Sequence, residues 1–146
     1  MQYRPHVVIL LLSIVLLFGC SGKTEDPTPA IEAGNKAFIE HFLKGDEKAV
    51  AALYTEDAKI IAPGSPITSG RAEIAKFWRG FMDTGVKDIT LKTLHASASG
   101  DLAYEEGAAT IVNKDGSPSG VRYVVVWKRV DGDWYLHRDI WNVGPQ

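Results

Sequence analysis

Residues 123–142 read YVVVWKRVDGDWYLHRDIWN. β-Branched and aromatic residues fill two runs, and Asp131-Gly132-Asp133 separates them, which is the pattern of two antiparallel strands around a turn. The same period of two extends back toward Asp88, with turn residues at Gly100-Asp101 and Lys114-Asp115-Gly116. Strands are therefore expected at about 88–98, 102–112, 120–130 and 134–142.

Ahead of Asp88 the period changes to 3.6. Ile31, Asn35, Phe38 and Phe42 recur at helical spacing, with Thr28-Pro29 as the expected cap and first turn and Lys44-Gly45 as the stop. Asp46 can cap a short second helix carrying Val50, Leu53 and Tyr54. A short apolar strand, Lys59 to Ala62, runs into a Pro63-Gly64 turn. Ser69-Gly70 then opens a third helix with Ile74, Phe77, Trp78 and Phe81 on its apolar side, ending at Gly85. Three helices, a short strand and a four-stranded meander make an α+β domain, with helices over one face of a curved sheet.

Alternation assigns the faces. In the last strand Trp134, Leu136, Arg138, Ile140 and Asn142 share one side, and Tyr135, His137, Asp139 and Trp141 the other. The first set is taken as the inner, pocket-facing one, together with Tyr104 and Glu106 on 102–112 and Tyr123 and Trp127 on 120–130. Both sides are unusually apolar for a half-solvated sheet, so the outer side is expected to meet a second copy of the chain, forming a homodimer.

The N terminus, MQYRPHVVILLLSIVLLFGC, has a basic residue, an apolar run from Val7 to Phe18 and a small residue before the single cysteine. The run is too short for a stable bilayer span and fits a signal peptide. Leu17-Phe18-Gly19-Cys20 resembles the bacterial lipobox. That resemblance implies removal of residues 1–19, lipidation of Cys20 and membrane anchoring through its acyl chains. Residues 20–29 then form the lipidated cysteine and a flexible tether, and 30–146 the domain. The expected location is the cell envelope: the periplasmic face of the outer membrane in a Gram-negative host, the outer face of the cytoplasmic membrane in a Gram-positive one.

Sixteen Lys and Arg against 18 Asp and Glu, with no basic stripe, argue against a nucleic-acid partner. With Cys20 lipidated, no thiol remains for disulfides or catalysis. His41, His95 and His137 lack metal-ligand spacing, so neither metal nor cofactor is expected.

YTEDAKIIAPG (54–64), SGRAEIAKFWRGFM (69–82), GDLAYEEG (100–107) and the 123–142 hairpin, taken in order, resemble a SnoaL-like domain. More narrowly they resemble domain of unknown function 4440, within the nuclear transport factor 2-like superfamily. The resemblance spans roughly Ile31 to Asn142. It implies a cone whose curved sheet wraps around helices and leaves a pocket. Fold alone does not decide function here. The superfamily's ketosteroid isomerases use a carboxylate base and two oxyanion donors, a tyrosine and a neutral aspartic acid. By the family's spacing those roles fall on Ala62, Phe38 and Val125, none of which can fill them. The resemblance therefore argues against that mechanism.

Other residues are candidates. Glu106 is a possible base and Arg138 a possible anchor for an acidic ligand; equally, the two pair with each other or Glu106 pairs with Arg129. Tyr54, Phe77, Trp78, Tyr104, Tyr123 and Trp127 can line an apolar pocket with polar tips or serve as ordinary core. Asn142 can orient a ligand or close the last turn. Asp139, on the side taken as outer, reads as structural or as an interface residue, without a His137–Asp139 dyad. Asp57 reads as a turn residue. The leading functional expectation is a lipid-anchored module that binds a small apolar or acidic molecule. The alternatives are an isomerase, lyase or hydrolase using Glu106 and Arg138, and a partner-binding domain whose pocket is filled.

Overall fold

The computed structural model describes residues 25–144. The leader, Cys20 and the tether up to residue 24 lie outside the described residues. Helix α1 spans Thr28–Leu43, α2 Glu47–Ala52 and α3 Arg71–Asp83. Strands are β1 (Tyr54–Ile61), β2 (Thr68–Ser69), β3 (Asp88–Ser99), β4 (Leu102–Val112), β5 (Pro118–Val130) and β6 (Asp133–Val143). The domain is α+β: one six-stranded sheet, in the order β2-β1-β6-β5-β4-β3, carries the helices. Every pairing is antiparallel except β1 with β6. No described helix is long and apolar enough to cross a membrane.

Local chemistry sets the boundaries. Asp46 caps α2, its carboxylate accepting the Ala49 N–H at 2.9 Å. Helix α1 begins at Thr28 rather than after it, because Asp26 accepts the Thr28 N–H at 3.0 Å and Pro27 takes the cap position. Tyr54 is not on α2 but opens β1, which is longer than the expected 59–62. The parallel pairing of β1 with β6 begins at Tyr54↔Leu136, and Leu53 O accepts the Leu136 N–H at 2.9 Å, so the chain is already extended there.

The helical side of the sheet holds the core. Ile31, Val50, Ile74, Ile60 and Tyr54 are fully excluded from solvent; each such aliphatic side chain contributes about 1.5–3 kcal/mol by its burial. Helix α1 lies close to β5 because position 34 is glycine. A methyl group there would meet the Trp127 ring at 2.8 Å.

Bulges on β6 and β3 decide which of their residues face inward. In β6, Trp127 pairs with Leu136 but Val126 with Arg138, so His137 is an extra residue. Leu136 therefore faces inward, and after the bulge Asp139 and Trp141 do as well, while Arg138, Ile140 and Asn142 turn outward. Strict alternation places Leu136 correctly and predicts the reverse for the residues beyond His137; a single inserted residue inverts the order beyond it. In β3 the pairs Thr93↔Gly107 and His95↔Glu106 leave Leu94 extra in the same way.

On β4 the inner set is Ala103, Glu105, Gly107 and Ala109, not Tyr104 and Glu106. Antiparallel pairing across the 113–117 loop sets odd residues opposite odd, so Gly107 faces Tyr123 and Ala103 faces Trp127. Large β5 rings fill the space that small β4 residues leave.

Glu105 sits in the middle of this layer with 0% exposure. Its Oε1 accepts from Asn35 Nδ2 on α1 (2.7 Å), Thr93 Oγ1 on β3 (2.7 Å) and the Tyr123 hydroxyl on β5 (2.9 Å). Its Oε2 accepts from Trp127 Nε1 at 3.1 Å. A buried carboxylate persists only when its acceptor capacity is met. Glu105→Ala is expected to destabilise the domain by at least about 3 kcal/mol in chemical denaturation, since it orphans several buried donors at once. Gly107→Ala should cost about 2 kcal/mol, because the new Cβ collides with the Tyr123 ring and pulls its hydroxyl off Glu105. A change under 0.5 kcal/mol in either variant would contradict this role for the network.

Candidate functional site

Between α1, α3 and the inner sheet face lies a cavity of about 70 Å³. A buried water needs about 10–15 Å³ of such space, so the cavity suits a few heavy atoms. Phe38 from α1, Trp78 and Phe81 from α3, Tyr123 from β5 and Trp141 from β6 contribute aromatic rings to the wall. The Trp78 and Trp141 rings stack at 5.8 Å, and Phe38 meets Trp78 edge-on at 5.0 Å. Aliphatic side chains from β3, β4 and β5, Leu91, Ile111 and Val125 among them, close the rest.

Polar groups in the wall are few. Asp139 is 7% exposed, and its Oδ2 accepts the Tyr54 hydroxyl at 2.6 Å. That hydroxyl in turn accepts the Trp78 indole N–H at 3.2 Å, so α3, β1 and β6 meet in one chain of hydrogen bonds. Oδ1 of Asp139 has no hydrogen-bond partner among the described residues. Burial pushes the Asp139 carboxyl up to about 6, the Tyr54 bond opposes this, and the negative charge of Glu105 adds to it. Burial, and then Asp139 itself, holds the Tyr54 hydroxyl well above the usual tyrosine range. Tyr123 is raised likewise, by burial and then by Glu105.

The sequence-predicted residues divide. Trp78 and Tyr123 line the cavity. Tyr54 lies behind the wall, holding Asp139, and Trp127 lies deeper, holding Glu105. Phe77 packs against Trp78 and Trp141 at 5.2 and 5.8 Å without lining the space. The remaining four do not reach it. Tyr104 is exposed on the outer sheet face beside the His95 ring, at 5.5 Å. Glu106 is exposed there too, opposite Val124. Asn142 is exposed opposite Arg122. Arg138 turns toward β1 and donates to the carbonyls of Asp57 (3.2 Å) and His137 (2.7 Å). Glu106 and Arg138 are thus neither pocket residues nor partners of each other, and Arg129 pairs instead with Glu25 at 3.4 Å. Phe38 and Val125, at two of the positions that an isomerase would fill with donors, line the cavity with hydrocarbon, and Ala62 is not in the wall.

Asp139, read from the sequence as an outer structural or interface residue, faces the cavity instead, and Asn35 and Glu105, not singled out in the sequence, are buried polar groups beside it. Asn35 had a signal: an amide among Ile31, Phe38 and Phe42 on the apolar side of α1 calls for a buried acceptor. Glu105 had none within its own strand, where Tyr104 and Glu106 flank it; the Tyr123 and Trp127 rings on the paired strand single it out. Asp139 had none short of locating the bulge. His137 shares a hydrogen bond with Thr55 Oγ1 at 2.8 Å and lies 3.6 Å from Asp57, not on Asp139. Among the described residues no group of three His, Cys, Asp or Glu is arranged to hold a metal.

The Asp139 shift is also a statement about stability. Its folded value of about 6 lies above the ordinary 3.8, so the folded state binds the proton more tightly than the unfolded chain. The resulting stabilisation is full below pH 3.8 and is lost as pH rises through 6. Above that, the buried charge costs on the order of 3 kcal/mol. Asp139→Asn should match wild type at pH 4 and gain stability relative to it toward pH 8, by up to that amount. A difference that stays flat across this range in denaturant titrations would refute the assignment.

Comparison with known proteins agrees with this architecture. The family model for the SnoaL-like domain matches residues 35–137. A ketosteroid isomerase-like protein from Erwinia carotovora is 26% identical with a TM-score of 0.70, over 82% of this chain and 98% of that one. A nuclear transport factor 2-like protein with a cystatin-like fold from Novosphingobium aromaticivorans is 19% identical, with a TM-score of 0.70 over 80% of each chain. A nuclear transport factor 2-like family protein from Streptomyces avermitilis is 21% identical, with a TM-score of 0.68 over 81% of this chain and 96% of that one. No curated protein matches the sequence significantly. With the helix-covered curved sheet, the cavity beneath the helices and a family match over most of the described residues, the chain belongs to the SnoaL-like domain family.

Proposed function

We propose that this domain binds a small, mainly apolar molecule in its cavity, with Asp139 as the polar anchor. The observation that carries this reading is the free Oδ1 of Asp139 at the wall of an otherwise aromatic and aliphatic space. Pockets of this make-up, apolar with one or two fixed polar groups, are typical small-molecule sites. The notion of an acidic ligand held by Arg138 is abandoned, since that guanidinium faces away from the cavity. The proposal also has the chain exported, anchored by acyl chains on Cys20 and placed in the narrower domain of unknown function 4440 branch.

A second reading rests on the raised Asp139 carboxyl. A group that titrates near 6 can both accept and return a proton at neutral pH, as isomerases and dehydratases require. Asp139 would then be the acid–base residue, in place of Glu106.

The outer sheet face supports a proposed homodimer. Leu102, Tyr104, Val124 and Ile140 are each at least 40% exposed there. Glu106 and Arg122 stand on neighbouring strands beside them, so one face offers both signs of charge to a second copy.

Each part has its own test. In a thermal-unfolding screen of small apolar ligands on the full chain in non-ionic detergent, binding at a hundredfold over Kd should add about 2.7 kcal/mol of stability. Leu91→Trp, which fills the cavity, should abolish the response; an unchanged response would place the ligand elsewhere. Labelled palmitate should be incorporated by wild type and not by Cys20→Ser. Tyr104→Lys should turn a dimer into a monomer in sedimentation; a wild type that sediments as a monomer refutes the dimer.

A further inference from the structure

Resting on the binding reading above, we infer that the molecule taken into the cavity carries a protonated amine, which the Asp139 carboxylate and the Asn35 carbonyl receive among the aromatic rings.

The hydrogen bonds of the wall point this way. Asn35 spends both hydrogens of its amide internally, on Glu105 (2.7 Å) and on Thr93 Oγ1 (3.3 Å). These two donations fix the amide so that its oxygen is the free end. The Trp78 N–H goes to Tyr54 and the Tyr123 O–H to Glu105. What remains on offer is acceptors: Asp139 Oδ1, which has no partner among the described residues, and Asn35 Oδ1, on an amide that also lies beside the Tyr123 hydroxyl. The Trp141 indole N–H is the one wall donor left without an acceptor among the described residues. An ammonium is a pure donor with three hydrogens, and so complements such a wall; a carboxylate, a pure acceptor, does not.

Charge points the same way. No Lys, Arg or His lines the cavity. The titratable groups turned toward Asp139 are Tyr54 on β1, Tyr123 on β5 and, behind Tyr123, Glu105 on β4. None of them supplies a positive charge. The carboxylate is therefore uncompensated, and rings with negative faces line the same cavity: Phe38, Trp78, Phe81, Tyr123 and Trp141. A desolvated cation close to such rings is attracted by them. A buried carboxylate without a counter-ion is a costly arrangement, and a ligand ammonium is the missing partner.

The test compares short linear ligands of similar length and different charge. n-Butylammonium, 1-pentanol and pentanoate are titrated into the full chain in non-ionic detergent, and the indole N–H signals of Trp78 and Trp141 are followed by NMR. At pH 7.5 butylammonium is expected to bind at least tenfold more tightly than pentanol, with pentanoate weakest. The butylammonium affinity should fall about tenfold at pH 5 as Asp139 takes up its proton. In Asp139→Asn the preference for ammonium over alcohol should vanish. Pentanol binding as tightly as butylammonium, or a preference that survives in Asp139→Asn, overturns the inference and leaves the binding reading standing. If no probe, charged or neutral, moves those indole signals, the binding reading falls and this inference falls with it.

Discussion

The domain is organised around a single buried carboxylate. Glu105 ties α1 to three consecutive strands: Asn35 reaches it from the helix, Thr93 and Tyr123 from the neighbouring strands, and Trp127 from below. Hydrophobic packing alone would hold α1 somewhere on this sheet, since apolar contact is non-directional. The hydrogen bonds choose one position and one rotation. They also orient two residues of the cavity wall, Asn35 and Tyr123, and use up the hydrogens those side chains would otherwise present to a ligand. A structural network thus determines the polarity of the space next to it.

Asp139 shows the opposite economy. Glu105 is surrounded by donors, whereas Asp139 has one, the Tyr54 hydroxyl, itself steadied by Trp78. The difference between the two carboxyls, one saturated and one left open at a cavity, separates a scaffold group from a group available for binding. Stability is given up at the second site, where the buried charge has no counter-ion.

Much of the architecture was legible in the chain. The period of 3.6 located the helices, the period of two located the strands, and the residues of the hairpin around Asp131-Gly132 fixed the meander. Tyr54 was displaced from helix to strand because its conformation is set by pairing with β6, a partner 82 residues away at Leu136. The faces were harder. On β4 both alternating sets contain a glutamate and apolar residues, so Glu105 and Glu106 cannot be told apart by pattern; the opposing Tyr123 and Trp127 rings decide between them. On β6 the alternation is correct up to Leu136 and inverted after it. A bulge leaves no mark in hydrophobic periodicity when both faces are apolar, and the side chains that matter most, Arg138 and Asp139, lie just beyond it.

That extra residue makes the cavity's charge a matter of register rather than composition. Were the irregularity at His137 shifted two places toward the C terminus, Arg138 would point inward and Asp139 outward, with no change in amino-acid content. The same strand would then line the space with a guanidinium and favour anions. Migration of a bulge along β6 is thus a route by which this fold could invert the charge of its cavity wall, without passing through substitutions that empty or overfill the core.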